Sequence, residues 1–131
     1  ERIFQDKGVT IDWDAADDLY FLGERQDLLE LAGNAMENAA KWCVARVRVR
    51  AEMVSPEWLR LSVEDDGPGL TPAEREAAVQ RGARLDESAP GSGLGLNIID
   101  ELARAYGGAL KLDQARLGGL SVVLELPRAE A

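Results

Sequence analysis

Alternation of apolar and polar residues recurs along the chain and predicts several strands. In residues 8–14 the apolar positions are Val9, Ile11 and Trp13, which is the two-residue period of a strand with one buried face. The same alternation, or a short apolar run, predicts further strands at residues 19–22, 44–54 and 58–63. Because Pro56 turns the chain between the last two segments, we expect a hairpin with one dry face and one wet face.

Three other segments have helical periodicity. From Glu24 to Trp42, leucine and alanine residues recur at the spacing of one buried helix stripe. A shorter helix is predicted from Pro72 to about Gln80, since proline fits the first turn of a helix. A third helix is predicted from Leu94 to Tyr106, where a pair of glycines ends it.

The C-terminal part of the chain predicts a second hairpin and completes a pattern typical of one α+β domain. Its strands are residues 109–112 and 120–126, with Gly118 and Gly119 in the turn. Strands grouped in hairpins beside long helices favour a two-layer sandwich, in which a mixed, mostly antiparallel sheet is covered on one face by helices. We find no internal repeat and no domain boundary, so we expect residues 1–131 to form one domain.

Composition and charge exclude several classes of function. The 131 residues include no histidine, which excludes Ser-His-Asp and Cys-His nucleophilic sites and the usual zinc sites. The net charge of −9 argues against binding of duplex nucleic acid, since that affinity depends on Lys and Arg. An anionic ligand would therefore need a local cationic group or a metal ion.

The chain also carries signals of its cellular context. The single cysteine, Cys43, excludes an internal disulfide and fits a reducing compartment. No apolar run approaches the roughly 18 residues of a membrane helix, so we expect no membrane contact by this domain. The start at Glu1, without Met or a signal-peptide pattern, is typical of a piece of a longer protein.

Polar residues with ligand chemistry lie along one side of the first predicted helix. Asn34, Asn38 and Lys41 are spaced i, i+4 and i+7, so they share a face. An amide oxygen suits Mg²⁺ and a lysine is a point charge for a phosphate. For this helix alone, a solvated polar face remains the alternative interpretation.

A second candidate motif is the acidic, glycine-containing turn at residues 65–69. Asp65 ends a predicted strand, where its carboxylate can be held at the rim of a pocket, while Gly67 and Gly69 let the backbone approach a flat ligand. A carboxylate that accepts from an exocyclic amine distinguishes adenine from guanine. A simple turn after a strand is the alternative interpretation.

A third motif is the glycine-rich run at residues 91–96, which leads directly into a helix. Backbone N–H groups and the positive end of the helix dipole can hold phosphates there. The run lacks the Lys-Ser/Thr of a Walker loop, and neither its spacing nor its context fits a Rossmann turn. A flexible linker that caps a helix is the alternative interpretation.

Together the three motifs resemble the ATP-binding catalytic domain of sensor histidine kinases, in the superfamily shared with gyrase, Hsp90 and MutL. Residues 34–42 are similar to the family's N box, residues 65–69 to its G1 box and residues 91–96 to its G2 box. The resemblance covers nearly the whole chain, with the motifs in the family's order. Residues 64–69 and 81–84 are most similar to the PhoQ branch. The fold that this implies is the family's two-layer α/β sandwich.

The resemblance implies roles for the residues of the first helix. Asn38 would ligate Mg²⁺, and Asn34 would support the metal and the phosphates of ATP. Lys41 would contact a phosphate. Trp42 stands where the family often has an aromatic residue, and its ring would lie against the adenine.

The resemblance also implies roles for the two glycine-containing motifs. Asp65 would accept a hydrogen bond from the adenine amino group, with Gly67 and Gly69 shaping that wall of the pocket. The phosphates would lie against the third motif, whose members are Gly91, Ser92, Gly93, Leu94, Gly95 and Leu96.

Residues 81–92 would form a lid over the nucleotide, which we expect to be disordered without ATP and ordered with it. Arg81 and Arg84 would contact the phosphates there, and Arg84 would join Asn34 and Lys41 as a catalytic group. The lid departs from the commonest family pattern, because no Phe-containing box precedes the third motif.

The family transfers the γ-phosphoryl group of ATP to a histidine on a separate helical dimerisation domain. This chain has no histidine, so it would need that domain as a partner, with a response regulator downstream. The resemblance further implies a cytoplasmic domain of a membrane-anchored, inner-membrane sensor kinase. An ATPase or serine-kinase relative is the alternative, and a nucleotide-sensing or docking module without catalysis is a third hypothesis.

One position separates these hypotheses. ATP-hydrolysing and serine-kinase relatives place a glutamate one turn before the metal-binding asparagine, whereas this chain has Asn34 there. An amide cannot accept a proton at neutral pH, so hydrolysis is disfavoured, although Glu30 and Glu37 are nearby in the sequence. Retention of both Asn38 and Asp65 argues against a decayed, non-catalytic site.

Overall fold

The computed structural model describes residues 2–4, 9–15, 19–79 and 94–129. Seven strands and three helices lie within these ranges. In chain order they are β1 (Arg2–Phe4), β2 (Val9–Ala15), β3 (Tyr20–Phe21), α1 (Arg25–Trp42), β4 (Arg46–Ser55), β5 (Trp58–Asp65), α2 (Pro72–Val79), α3 (Leu94–Ala105), β6 (Ala109–Gln114) and β7 (Leu120–Ala129).

The strands form one mixed sheet in the order β1-β2-β4-β5-β7-β3, with β6 also paired to β7. The pairing of β2 with β4 is parallel, with Ile11 opposite Val47. The other pairings are antiparallel. This arrangement confirms the expected α+β sandwich with a mixed, mostly antiparallel sheet.

The alternation in the sequence sets which face of the sheet is buried. In β4, Val47 and Val49 are buried, whereas the arginines that alternate with them, at positions 46, 48 and 50, lie on the other face. Helix α1 packs over β4 and β5, α3 over β6 and β7, and α2 over β6. On the open face, Arg60 of β5 lies 3.4 Å from Glu52 and 3.3 Å from Glu125. One face is therefore an apolar core and the other carries ion pairs.

Local signals in the sequence set where the shorter helices begin and end. At the start of α2, Glu74 N–H donates to Thr71 Oγ1 at 3.1 Å, and Thr71 N–H donates to Glu74 Oε1 at 2.9 Å. At the end of α3, Gly107 has φ of 77° and Gly108 N–H donates to the Ala103 carbonyl. No helix among the described residues has the length and hydropathy that crossing a membrane requires.

The structure corrects the predicted elements at a few places. Strand β1 was not predicted, because three residues are too few to show a period. Strands β6 and β7 extend beyond their predicted ends to Gln114 and Ala129. The predicted lid, residues 81–92, lies outside the described residues.

Candidate functional site

Asp65 is the last residue of β5 and is 2% exposed. Its Oδ1 atom accepts hydrogen bonds from the Gly67 N–H at 2.9 Å and from the Leu120 N–H at 3.2 Å. Its own carbonyl accepts from the Gly119 N–H at 3.1 Å. A buried carboxylate is costly unless it is hydrogen-bonded, and these backbone donors also fix its orientation.

Glycines beside Asp65 allow backbone segments to approach closely. A Cβ added at Gly67 would overlap the carbonyl oxygen of Trp42, and one added at Gly119 would overlap Asp65 Oδ1. Gly69 has φ of 71°, a conformation that other residues rarely adopt. Gly67, Gly69 and Gly119 therefore allow the end of α1, the end of β5 and the start of β7 to lie close together.

Asp66, for which the sequence pattern predicts no role, joins two parts of the site. Its Oδ1 accepts from the N–H groups of Val44 at 2.8 Å and Ala45 at 3.1 Å. Its Oδ2 accepts from Ala45 and Arg46, both at 3.2 Å. Burial opposes ionisation of Asp66, but the backbone N–H groups outweigh it and hold the pKa of its carboxyl below the usual value.

The polar face of α1 contacts the chain just beyond α3 through one hydrogen bond. Asp27 lies seven residues before Asn34 on the same face, and its carboxylate accepts a hydrogen bond from the Tyr106 hydroxyl, just beyond α3. Asn34 and Asn38 are half-buried there, and Lys41 is exposed. Partial burial of both asparagines argues against a fully solvated face.

Asn34 also contacts its own helix. Its side-chain amide donates to the Glu30 carbonyl at 2.8 Å. One of the two amide hydrogens is thus committed to the backbone, while the amide oxygen, the atom that would bind a metal ion, is not used in this hydrogen bond.

Trp42 ends α1 and is 46% exposed, while its carbonyl lies against Gly67. A flat ring with half its surface accessible, next to the segment that follows Asp65, is suited to stacking on a planar ligand.

The third motif is only partly within the described residues. Helix α3 begins at Leu94, as the sequence predicts, and includes Gly95. The side chain of Leu96 is 3% exposed and belongs to the hydrophobic core, so its only group for a phosphate is the backbone N–H. Other predicted members lie outside the described residues: Arg81, Arg84, Gly91, Ser92 and Gly93.

The donor set fits a magnesium ion that arrives with a nucleotide. Within the described ranges, no group of three His, Cys, Asp or Glu residues is placed to hold a metal by itself. Mg²⁺ is commonly bound by one or two protein oxygens together with substrate phosphates and water. The half-buried Asn38 amide would supply one such oxygen.

Gly119 and Leu120 also belong to the site, although the sequence pattern predicts them only as parts of the last hairpin. Leu120 contacts Asp65 from 55 positions away in the sequence, and Gly119 directly precedes Leu120. No local pattern therefore identifies either residue. The one available signal is that Gly119 directly precedes an apolar strand.

Comparisons with known proteins agree with this arrangement. Residues 23–130 match the family described as "Histidine kinase-, DNA gyrase B-, and HSP90-like ATPase". The chain is 43% identical over 126 residues to the sensor protein kinase CarS of Pseudomonas aeruginosa, covering 96% of this chain and 28% of CarS. It is 38% identical over 118 residues to the sensor protein PhoQ of Escherichia coli, covering 90% of this chain and 24% of PhoQ.

A solved structure gives the same result. Full-length ShkA in complex with AMPPNP is 32% identical, with a TM-score of 0.80 over 97% of this chain and 27% of ShkA. The chain thus spans about a quarter of the length of the curated relatives it matches. These similarities confirm the resemblance drawn from the three motifs, including its PhoQ branch.

Proposed function

Because the chain belongs to the family of histidine kinase-, DNA gyrase B- and HSP90-like ATPases, we propose that it binds Mg-ATP and donates the γ-phosphoryl group to a histidine on another domain. The observation that carries this proposal is the buried Asp65, whose carboxylate is oriented by the N–H groups of Gly67 and Leu120. A carboxylate held in this way is suited to accept a hydrogen bond from the amino group of adenine. Trp42, next to the same glycine, supplies a surface for the base.

The polar face of α1 would meet the phosphates. Asn38 and Asn34 supply amide oxygens, and Lys41 supplies a positive charge one turn further along. Mg²⁺ bound with ATP would neutralise charge on the phosphates. Phosphoryl transfer depends mainly on positioning and charge neutralisation, so a domain without its own nucleophile suits the reaction. Arg84 would add charge from the lid.

The acceptor and the other partners must come from elsewhere. The sequence has no histidine, so the phosphoacceptor would be a His-bearing dimerisation domain, and a response regulator would receive the phosphoryl group next. We place the domain in the cytoplasm, as part of a membrane-anchored sensor kinase. These assignments rest on the similarity to proteins named as sensor kinases.

Hydrolysis of ATP by this chain is the less favoured alternative. It would need a general base beside the metal, but position 34 is an asparagine whose amide is bonded to its own helix. The side chains of Glu30 and Glu37 are exposed, and their spacing of seven residues places them on the helix face beside the one that carries Asn38.

Incubation of the isolated domain with γ-labelled ATP and Mg²⁺ tests the proposal. We expect nucleotide binding with slow turnover and no label on this chain, because it has no histidine and no base at Asn34. Addition of the His-bearing domain in trans should place label on that polypeptide. Stable label on this chain, or rapid release of phosphate without an acceptor, would contradict the proposal.

A further inference from the structure

The carboxylate of Asp66 accepts hydrogen bonds from consecutive backbone N–H groups at the junction between α1 and β4. Helix α1 ends at Trp42, and the Cys43 N–H donates to the Ala39 carbonyl at 2.9 Å. The next N–H groups, those of residues 44–46, donate instead to Asp66, at distances of 2.8 to 3.2 Å. The carboxylate thus terminates the helix and directs the chain into the strand.

Asp66 lies between two residues that serve different parts of the site. On one side, Asp65 holds the carboxylate proposed for adenine. On the other, the backbone of Gly67 lies against the carbonyl of Trp42 and donates to Asp65 Oδ1 at 2.9 Å. A movement of Asp66 relative to the junction would therefore displace the adenine-binding segment relative to the end of α1.

We propose that Asp66 is a positioning residue, which fixes Lys41 and Trp42 at a set distance from Asp65 without touching the nucleotide. This inference rests on the proposed function and adds to it a residue that acts through the backbone. The guanidinium of Arg46 bridges to Asp12, so Asp66 acts on Arg46 through its backbone N–H. The lowered pKa of Asp66 agrees with a carboxylate that stays ionised in this role.

Graded substitutions separate positioning from general stability. In Asp66→Ala all of these hydrogen bonds are lost. In Asp66→Asn the amide oxygen can still accept from Val44 and Ala45, but an NH₂ group faces the Arg46 N–H. The matched control is Tyr106→Phe, which removes a hydrogen bond to the Glu24 N–H, 3.0 Å long, at the other end of α1.

The readouts are the dissociation constant of ADP with Mg²⁺ and the fluorescence of Trp42. The chain has three tryptophans, so replacement of Trp13 and Trp58 by Phe leaves Trp42 as the single source of tryptophan fluorescence. We expect Asp66→Ala to raise the dissociation constant about tenfold and shift the Trp42 emission, with Asp66→Asn intermediate. Tyr106→Phe should lower the unfolding midpoint and leave both readouts unchanged.

Two outcomes would overturn the inference. One is an Asp66→Asn protein that is folded but matches the starting protein in both affinity and emission. The other is a Tyr106→Phe protein that loses as much affinity as the Asp66 variants at equal loss of stability. If the starting protein does not bind ADP, the proposed function fails, while the emission of ligand-free Trp42 still reports whether Asp66 positions the end of α1.

Discussion

The two ends of α1 are attached to the rest of the domain by different kinds of contact. At its N-terminal end, the Tyr106 hydroxyl donates to Asp27 and accepts from the Glu24 N–H at 3.0 Å, and its ring meets Phe21 edge-on at 5.0 Å. At its C-terminal end, the attachments run through backbone groups held by Asp66 and Gly67. The first set consists mainly of contacts between side chains, which can readjust, whereas the second fixes the backbone N–H groups of three consecutive residues and the backbone of Gly67.

This difference predicts where the domain tolerates small shifts in structure. A side chain with rotatable bonds can move a few tenths of an ångström at little cost, whereas backbone contacts shift only with their whole segment. The backbone-held end carries Lys41, Trp42 and the neighbouring Asp65, three of the residues proposed to contact the nucleotide. We therefore expect precise placement to matter at this end, and mainly stability at the other.

The largest effect should come from Gly67→Ala, compared with Gly23→Ala. The new Cβ at Gly67 would overlap the Trp42 carbonyl, a backbone group, whereas at Gly23 it would meet ring atoms of Tyr106 and Phe21. We expect Gly67→Ala to cost about 2–4 kcal/mol of unfolding free energy and to abolish measurable ADP binding. Gly23→Ala should cost less and retain binding, as denaturant unfolding and calorimetry would measure. Equal affinity in the two variants would remove the distinction between the ends.

The next largest effects should distinguish binding of the adenine base from binding of the metal ion, both at the backbone-held end of α1. In Asp65→Asn, an amide nitrogen replaces one acceptor oxygen, and adenine presents an amino donor, so ADP affinity should fall about tenfold or more with or without Mg²⁺. Asn38→Ala should weaken binding mainly when Mg²⁺ is present. Calorimetric titration with ADP, with and without Mg²⁺, measures both. Indistinguishable metal dependence in the two variants would contradict the assignment.

A smaller effect is expected at the side-chain end from Tyr106→Phe. Loss of the hydroxyl removes the contacts to Asp27 and Glu24 but leaves the ring against Phe21. We expect a loss of about 1 kcal/mol in unfolding free energy, with the ADP dissociation constant unchanged. The hydrogen bond to Asp27 also raises the pKa of Tyr106, so ionisation of this phenol should begin at higher pH than that of an exposed tyrosine.

Acid titration tests the contacts of Asp66 at the C-terminal end of α1. Because the pKa of Asp66 is lower in the folded state than its usual value, ionisation of Asp66 stabilises the fold above the unfolded-state pKa. That contribution should be lost as the pH falls below about 4 and through the folded-state pKa. The unfolding free energy should therefore fall more steeply with acid in the starting protein than in Asp66→Asn.

Asp12→Asn is the control for that titration, since the hydrogen bond from Arg46 also lowers the pKa of Asp12. Asp12 lies on the open face of the sheet and contacts the guanidinium of Arg46, whereas Asp66 accepts from the Arg46 N–H, so replacement of Asp12 should leave the acid dependence due to Asp66 in place. Identical titration curves for the starting protein and Asp66→Asn would show that the carboxylate does not hold the junction.

The sequence predicts best those features that depend on neighbours in the chain. Helix α1 and the β4–β5 hairpin follow from local periodicity, and Pro72 marks the start of α2. The motif around Asp65 is also local, because a strand end followed by closely spaced glycines is visible in a short window.

Features that depend on distant pairing are not visible in the sequence. Asp66 accepts hydrogen bonds from residues 20 to 22 positions earlier, and Leu120 reaches Asp65 across 55 positions. The side chain of an aspartate in a turn usually accepts hydrogen bonds from backbone N–H groups within a few residues. The residues around Asp66 therefore suggest only such a local contact. The tertiary fold supplies these partners, which is why Asp66 and Gly119 emerged only from the structure.

The smallest expected effect lies between the two ends, at Gly33. This exposed glycine lies within α1, and a Cβ there would meet no atom within 4 Å apart from its chain neighbours and the adjacent backbone of its own helix. Alanine should favour the helix by about 0.5–1 kcal/mol, because glycine loses more backbone entropy on folding. If the ends of α1 are fixed independently, Gly33→Ala should raise the unfolding midpoint and leave the ADP dissociation constant within about twofold. A clear change in affinity would instead mean that flexibility in the middle of α1 contributes to binding, and that the backbone contacts at its C-terminal end do not by themselves set the positions of Lys41 and Trp42.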